Sequence, residues 1–439
     1  MAPEEARHEA PAHVSRCILT PCGLRHTIVS TQAMSASPIW HGISNPRRIV
    51  YEGRRMIVSH LTVKNWRNFQ HIDVDLRERQ FLVGPNASGK SNLLDIFRFL
   101  RDIARPEGGG LQKAVKNRGG ISKLRCLAAR RDPEIAIEVH LASTAEAPPT
   151  WRYALGLKQE TRGYRQPYLA YEHVWKDGVQ ILNRPLPEDT HDHDRLTQTF
   201  LEQINVNVEF RELMRFFQDV TYLHLVPQLL RFADTIQGRM LEDDPFGQGF
   251  LDRVAKTTEK TRKARLTKIQ QALTIAVPQL QQLAFIRDEA TGRPHLQARY
   301  SHWRPLAGWQ REEQFSDGTL RLLGLLWSLL ENDSLLLLEE PELSLNNGIV
   351  SQIASLISRM QRPHRGQVLI STHSETLLTD QGIDGREVLL FTPTEEGTQI
   401  TVAVDNAEVK TLLESGLTVG EAVLPRTRPA DIGQLSLFK

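Results

Sequence analysis

The residues Gly84-Pro85-Asn86-Ala87-Ser88-Gly89-Lys90-Ser91 constrain this chain more than any other feature. They satisfy the pattern G-x-x-x-x-G-K-[ST] in full. Their surroundings fit it too. Gln80–Val83 reads as a short buried strand, and Ser91–Ile103 as a helix whose Leu93, Leu94, Ile96, Phe97, Phe99 and Leu100 form a broad apolar face. Glycines at 84 and 89 let the backbone curl until several N–H groups point inward at an anion. The loop ends at a helix N-terminus, where free N–H groups and the helix dipole favour negative charge. These residue types suit a nucleoside triphosphate. Lys90 would reach its β- and γ-phosphates, and the Ser91 hydroxyl would hold Mg²⁺. Gly84 to Ser91 and the following Asn92 are therefore candidate ATP-binding residues, with Lys90 also a candidate catalytic residue. A Gly-Ser turn carrying a surface lysine would need neither flanking element.

A second group of motifs lies far downstream. Leu335–Leu338 are four consecutive leucines followed by Glu339 and Glu340, with Pro341 as the stop. Such a run is a strand buried on both faces or an apolar helix with an acidic cap. As a strand it presents two carboxylates at its C-terminal end, where open α/β sheets bind ligands. Glu339 is assigned to magnesium, and Glu340 to orienting the attacking water. Upstream, Phe315-Ser316-Asp317-Gly318-Thr319 precedes an apolar helix, with Ser316 as N-cap and Gly318 permitting close backbone approach. Downstream, Val368-Leu369-Ile370-Ser371-Thr372-His373 reads as a buried strand ending in a histidine placed to meet the γ-phosphate.

In chain order these motifs resemble the ABC-type ATPase heads, and more closely the group of SMC, RecF and OLD proteins. The resemblance spans about Met56 to Val404. VKNWRNF resembles the strand and turn that open RecF-like heads, SDGTLRLL their variant signature, and LLLLEEPE the carboxylate motif of the OLD-like branch. The family pattern implies that Arg67 and Asn68 lie near the nucleotide and that His373 is the switch histidine. It also implies that the phosphate loop of one copy faces the Ser316–Gly318 cap of another, in a homodimer or a higher assembly of dimers. The implied fold class is α/β: a P-loop NTPase ABC-type head with an antiparallel β subdomain and an inserted mainly helical lobe. Three departures stand out. Leu345-Asn346-Asn347 replaces the family's Leu-His-Pro segment. Gln228 is only a candidate for the Q-loop glutamine. No TOPRIM nuclease is expected in the 66 residues after His373, and there is no room for a long coiled coil between Lys90 and Ser316.

Composition sets bounds around this reading. The 439 residues hold 54 Lys plus Arg against 52 Asp plus Glu, which excludes a uniformly basic coat but not a local basic patch. Three cysteines, Cys17, Cys22 and Cys126, are too few for a disulfide scaffold and fit a reducing cytoplasm. No apolar run approaches the ~20 residues that a membrane helix needs, so no membrane partner is expected.

The expected domains are an N-terminal tail, 1–55; the first half of the head with its β subdomain, 56–190; a helical lobe, 191–300; the second half of the head, 301–405; and a C-terminal tail, 406–439. The first tail lacks a sustained period and is expected to be poorly ordered, with Met56 as the true initiator. No metal site is expected from its Cys17, Cys22 and His26. Strands are expected at Ile57, His60–Val63, Ile72–Leu76 (with Asn65–Asn68 as the turn), Glu134–Leu141, Trp151–Leu157, Tyr168–Trp175 and Val179–Leu182, and mostly helix over Leu196–Gln282.

Two basic stretches suit a phosphate backbone. One has Arg253, Lys256, Lys260, Arg262, Lys263, Arg265 and Lys268; the other has Lys113, Lys116, Arg118, Lys123, Arg125, Arg130 and Arg131. Each could equally be a solvated helix face. The Glu188–Asp194 run reads as an exposed polar loop rather than a metal site. Gln434-Leu435-Ser436-Leu437-Phe438 resembles the peptide by which bacterial replication and repair proteins bind the β sliding clamp. The resulting expectation is an ATP-dependent switch acting on DNA, in repair or anti-phage defence, with a separate effector such as a nuclease. An ABC transporter subunit is the alternative.

Overall fold

The computed structural model describes residues 56–129, 132–161, 163–232, 244–304, 308–331, 334–364 and 366–428. The expected tail 1–55 with Cys17, Cys22 and His26, the pair Arg130 and Arg131, and the clamp-type segment Gln434–Phe438 lie outside the described residues.

Strands β1 (Ile57–Trp66) and β2 (Phe69–Asp75) form a hairpin, and β3 (Arg79–Val83) runs into the phosphate loop. Beyond the helix Lys90–Ala104 come β4 (Ile135–Ala142), β5 (Trp151–Gln159), β6 (Pro167–Lys176) and β7 (Val179–Arg184). β8 (Thr221–Leu223) is followed by helices Pro227–Arg231, Phe250–Lys256 and Glu259–Ala276, then β9 (Leu280–Arg287), β10 (Pro294–Tyr300) and β11 (Trp309–Arg311). Helix Asp317–Glu331, β12 (Leu335–Glu339), helix Asn347–His364, β13 (Gln367–Thr372), β14 (Val388–Thr394) and β15 (Gly397–Val402) complete the head. One sheet is antiparallel, in the order β2-β1-β4-β5-β6-β7; a second is β15-β14-β3-β13-β12-β8, parallel except for β15; a third is β11-β10-β9.

The leucine run is a strand. Its alternating side chains enter two different cores: Leu335 and Leu337 join Leu82, Leu369 and Leu389, whereas Leu336 and Leu338 join Phe81, Val83, Val368 and Ile370. Burial on both faces explains why no polar residue interrupts it. The first core continues into the antiparallel sheet through Val58, Leu61 and Val63. Gln367 stitches the two sheets together. Its Nε2 donates to the Val58 and Arg77 carbonyls at 2.8 and 2.9 Å, and its Oε1 accepts from Val58 N at 2.9 Å.

Several expectations need correction. The first turn is tighter than Asn65–Asn68: Trp66 pairs with Phe69, leaving only Arg67 and Asn68 between. Asn65 stays in the strand because it is buried, its amide donating to the Asp132 and Glu134 carbonyls at 3.2 and 2.8 Å. Thr221–Leu223, expected within helix, is the edge strand β8, held by parallel pairing to β12. The acidic run near residue 190 is not simply an exposed loop. Pro187–His191 is a short helix, and its Asp189 is fully buried against the guanidinium of Arg184, Nε to Oδ2 3.0 Å.

Candidate nucleotide site

The parallel sheet brings the distant motifs side by side. β13 lies between β3 and β12; its Thr372 pairs with Val83 and its Ser371 with Glu339. Gly84, Glu340 and His373 thus leave neighbouring strands at the same C-terminal edge, where such sheets bind ligands.

The loop itself is a concave run of backbone. Ala87 (φ 60°) and Gly89 (φ 97°) have left-handed conformations, which turn successive N–H groups to one side. Space forbids side chains at both glycines. A Cβ on Gly84 would meet the Phe391 carbonyl at 2.7 Å, and one on Gly89 would meet the Asn68 amide at 2.2 Å. Asn86 and Ala87 are exposed, Pro85 is half-buried, and the fully buried Ser88 keeps an Oγ with no partner among the described residues. Lys90 folds over the loop and donates to the Gly84 and Pro85 carbonyls, both at 2.9 Å. Burial lowers its pKa to about 8, against the opposing pull of the Glu340 and Glu339 charges.

Ser91 donates to one oxygen of Glu339, and the Tyr222 hydroxyl donates to the other. A hydroxyl and a carboxylate in contact are the hard oxygen donors that Mg²⁺ takes, so the residues present fit the ion. Tyr222 is a site residue that the sequence does not single out. It sits on the three-residue β8, with the Arg98 guanidinium 4.1 Å over its ring. Burial and the Glu339 carboxylate push its phenol well up, which keeps it a donor. No local pattern marks it.

Glu340 has φ 45°, and its backbone N–H donates to Ser371 O at 3.0 Å. His373 Nε2 stands 3.7 Å from Glu340 Oε1. Burial, aided by the Lys90 charge, lowers the His373 pKa from its ordinary value.

Asn68 and Arg67 meet the loop from behind. Asn68 donates to Ser88 O at 3.0 Å and accepts from the Asn92 amide at 2.7 Å. Arg67 is turned onto Asp95 of the loop helix, NH2 to Oδ2 2.6 Å. Asp95 also pairs with Arg118 at 2.9 Å.

Ser316 caps its helix, accepting from Thr319 N at 3.2 Å. A Cβ on Gly318 would meet Ser344 O at 2.8 Å, so the cap and the loop after the carboxylates are packed closely. Asp317 is gripped by Arg231 NH2 at 2.6 Å and by Gln228 Nε2 at 2.8 Å. Gln228 therefore bonds the signature segment.

The basic stretches divide by residue type. Arg262 lies 4.1 Å over Phe285, Arg265 lies 5.3 Å over Trp327, and Arg253 packs on Phe250, whereas Lys256, Lys260, Lys263 and Lys268 are exposed. In the other stretch Arg118 is committed to Asp95 and Asp102, while Lys116, Lys123 and Arg125 are exposed. A separate cluster of His295, Glu312 and Glu313 has cation-type ligands. Its Glu312 is already satisfied by His295 Nδ1 at 2.7 Å and Leu296 N at 2.8 Å.

Residues 81–380, well over half of the chain, match the family model described as "AAA domain, putative AbiEii toxin, Type IV TA system". The chain belongs to that family. This AAA-domain chain is 30% identical over 99 residues to the DNA replication and repair protein RecF of Roseiflexus castenholzii. The match covers 21% of this chain and 25% of that RecF, so the chain spans about a quarter of the length of the curated relative it matches. Among solved structures it is similar to an SMC head bound to the C-winged helix domain of ScpA, with TM-score 0.47 and 14% identity, over 78% of this chain and 97% of the other. It is also similar to the SMC head domain from Thermotoga maritima, with TM-score 0.42 and 13% identity, over 79% and 98% of the two chains. No helix among the described residues is long and apolar enough to cross a membrane.

Proposed function

We propose that this chain is an ATP-dependent molecular switch that hydrolyses ATP between two copies of itself. The observation that carries the reading is the meeting of Ser91, Glu339, Glu340 and His373 at the end of the sheet, beside the curled loop 84–89. Loop N–H groups and Lys90 bind the β- and γ-phosphates. Ser91 and Glu339 hold Mg²⁺, which neutralises charge on the phosphate oxygens when bound. Glu340 accepts a proton from the attacking water, and His373 stabilises the γ-phosphate. Ser316 and Gly318 complete the site of a second copy, where the helix N-terminus faces the phosphates.

In this reading the homodimer, or a higher assembly of dimers, works in the cytoplasm on DNA, in repair or anti-phage defence, and passes its output to a separate effector such as a nuclease. The RecF relative supports DNA over the transporter alternative. The exposed lysines of helix Glu259–Ala276 and its neighbour are the surface offered to the phosphate backbone. Phosphate release from ATP by the purified chain, with Lys90→Ala as the control, tests the reading. Release that is absent, or unchanged in Lys90→Ala, overturns it.

A further inference from the structure

The loop after the catalytic carboxylate carries a half-buried acid, Glu342, that the proposed chemistry does not use. Glu342 Oε1 accepts from the Thr372 hydroxyl at 2.6 Å and from the His373 backbone N–H at 3.3 Å. Its Oε2 is buried with no partner among the described residues, and so is Nε of Arg321. Arg321 is itself buried on the helix that starts at the Ser316 cap, and its NH1 approaches the Glu340 carbonyl at 3.5 Å. Burial lowers the Arg321 pKa, and the nearby Glu342, Asp317 and Glu340 charges oppose that shift. One acid therefore sits among the three segments whose alignment hydrolysis requires: the Glu340 loop, the His373 strand end and the signature helix.

We propose that Glu342 is a positioning residue for hydrolysis: it fixes the Thr372–His373 backbone against Glu340 and, through Arg321, ties both to the helix that a second copy engages. The inference rests on the reading of Glu340 and His373 as the hydrolytic pair. A carboxylate is suited to this task because it accepts from two donors on consecutive residues. Burial, reinforced by the Glu340 charge, raises the pKa of the Glu342 carboxyl. A carboxamide keeps the shape of the side chain and an oxygen placed to accept both donations.

The test measures steady-state ATP hydrolysis, ATP affinity and melting of the full chain and its variants. Glu342→Ala is expected to lower kcat by up to about 100-fold, the scale of a misplaced reacting group, with KM and ATP affinity unchanged. Glu342→Gln keeps an accepting oxygen and is expected to recover most of the rate. Thr372→Val is expected to lower kcat in the same sense, and the Glu342→Ala/Thr372→Val double variant to be no slower than Glu342→Ala. Should Glu342→Ala lose its melting transition, Glu342→Gln and Thr372→Val carry the test. The inference is overturned by a normal kcat in Glu342→Ala, by an effect confined to KM, or by a Gln variant no better than Ala. Phosphate release by the unsubstituted chain is read first; its absence overturns the proposed function and this inference with it.

Discussion

Ser91 donates a hydrogen bond to Glu339, although 248 positions separate them in the chain. The contact joins the first turn of the loop helix to the end of the leucine strand, and it pairs the two side chains best suited to magnesium. Glu339→Ala should therefore weaken Mg²⁺-dependent binding of a non-hydrolysable ATP analogue by at least about tenfold. Binding without Mg²⁺ should change much less. Calorimetric titration with and without the ion checks this, and an unchanged Mg²⁺ requirement would count against the assignment.

Acid–base behaviour gives a second prediction. The profile of kcat/KM against pH reports groups of the free protein. Lys90, lowered to about 8 by burial, loses the charge that phosphate needs as pH rises through that value. His373 is lowered from its ordinary 6.5, by burial first and then by the Lys90 charge, so it stays neutral until the pH falls below 6.5. The profile should be bell-shaped, with an alkaline limb near pH 8 and an acid limb below 6.5. An alkaline limb near the ordinary lysine value of 10.5 contradicts the burial of Lys90.

Stability has its own test in Asp95. Burial opposes its charge, but Arg118, helped by Arg67 and Arg98, outweighs burial and holds the carboxyl below its ordinary 3.8. Asp95→Ala removes the carboxylate that Arg67 and Arg118 share, leaving Arg118 only Asp102, and should cost about 3–5 kcal/mol, read from denaturant unfolding. Since the folded pKa is depressed, the contribution is complete above pH 3.8 and is lost as pH falls through the lower folded value. A substitution costing under about 1 kcal/mol, the range of an exposed ion pair, would show that the cluster is superficial.

DNA binding is predicted to depend on lysines rather than arginines. Replacing Lys256, Lys260, Lys263 and Lys268 by alanine should weaken DNA binding. It should also flatten the dependence of log affinity on log salt by roughly 0.9 for each phosphate that the variant no longer neutralises. ATP hydrolysis in the absence of DNA should be unaffected. An unchanged salt slope would move the DNA surface elsewhere.

Much of this site is legible in the sequence, and the reasons are local. The phosphate loop needs glycines where the backbone crowds Phe391 and Asn68, and a strand buried on both faces must be written as four leucines. What the sequence hides is carried by partners far along the chain. Thr221–Leu223 is too short to show a period, yet tertiary pairing with β12 makes it a strand that puts Tyr222 on Glu339. The run RVAKTTEKTRKARLTK reads as uniformly basic. Only packing against Phe250, Phe285 and Trp327 separates its arginines from its lysines. Arg67, expected at the nucleotide by resemblance, is drawn to Asp95, a pairing that no motif records.

The central claim is that two copies close on ATP and that Glu340 opens them by hydrolysis. Glu340→Gln keeps the shape of the site and removes the base. Light scattering on the eluting protein, with ATP and Mg²⁺ and without nucleotide, measures the claim most directly. The account predicts twice the single-chain mass, or a higher even multiple, only when ATP and Mg²⁺ are present, and its loss when Gly318→Asp is added. The same mass with and without ATP would contradict it.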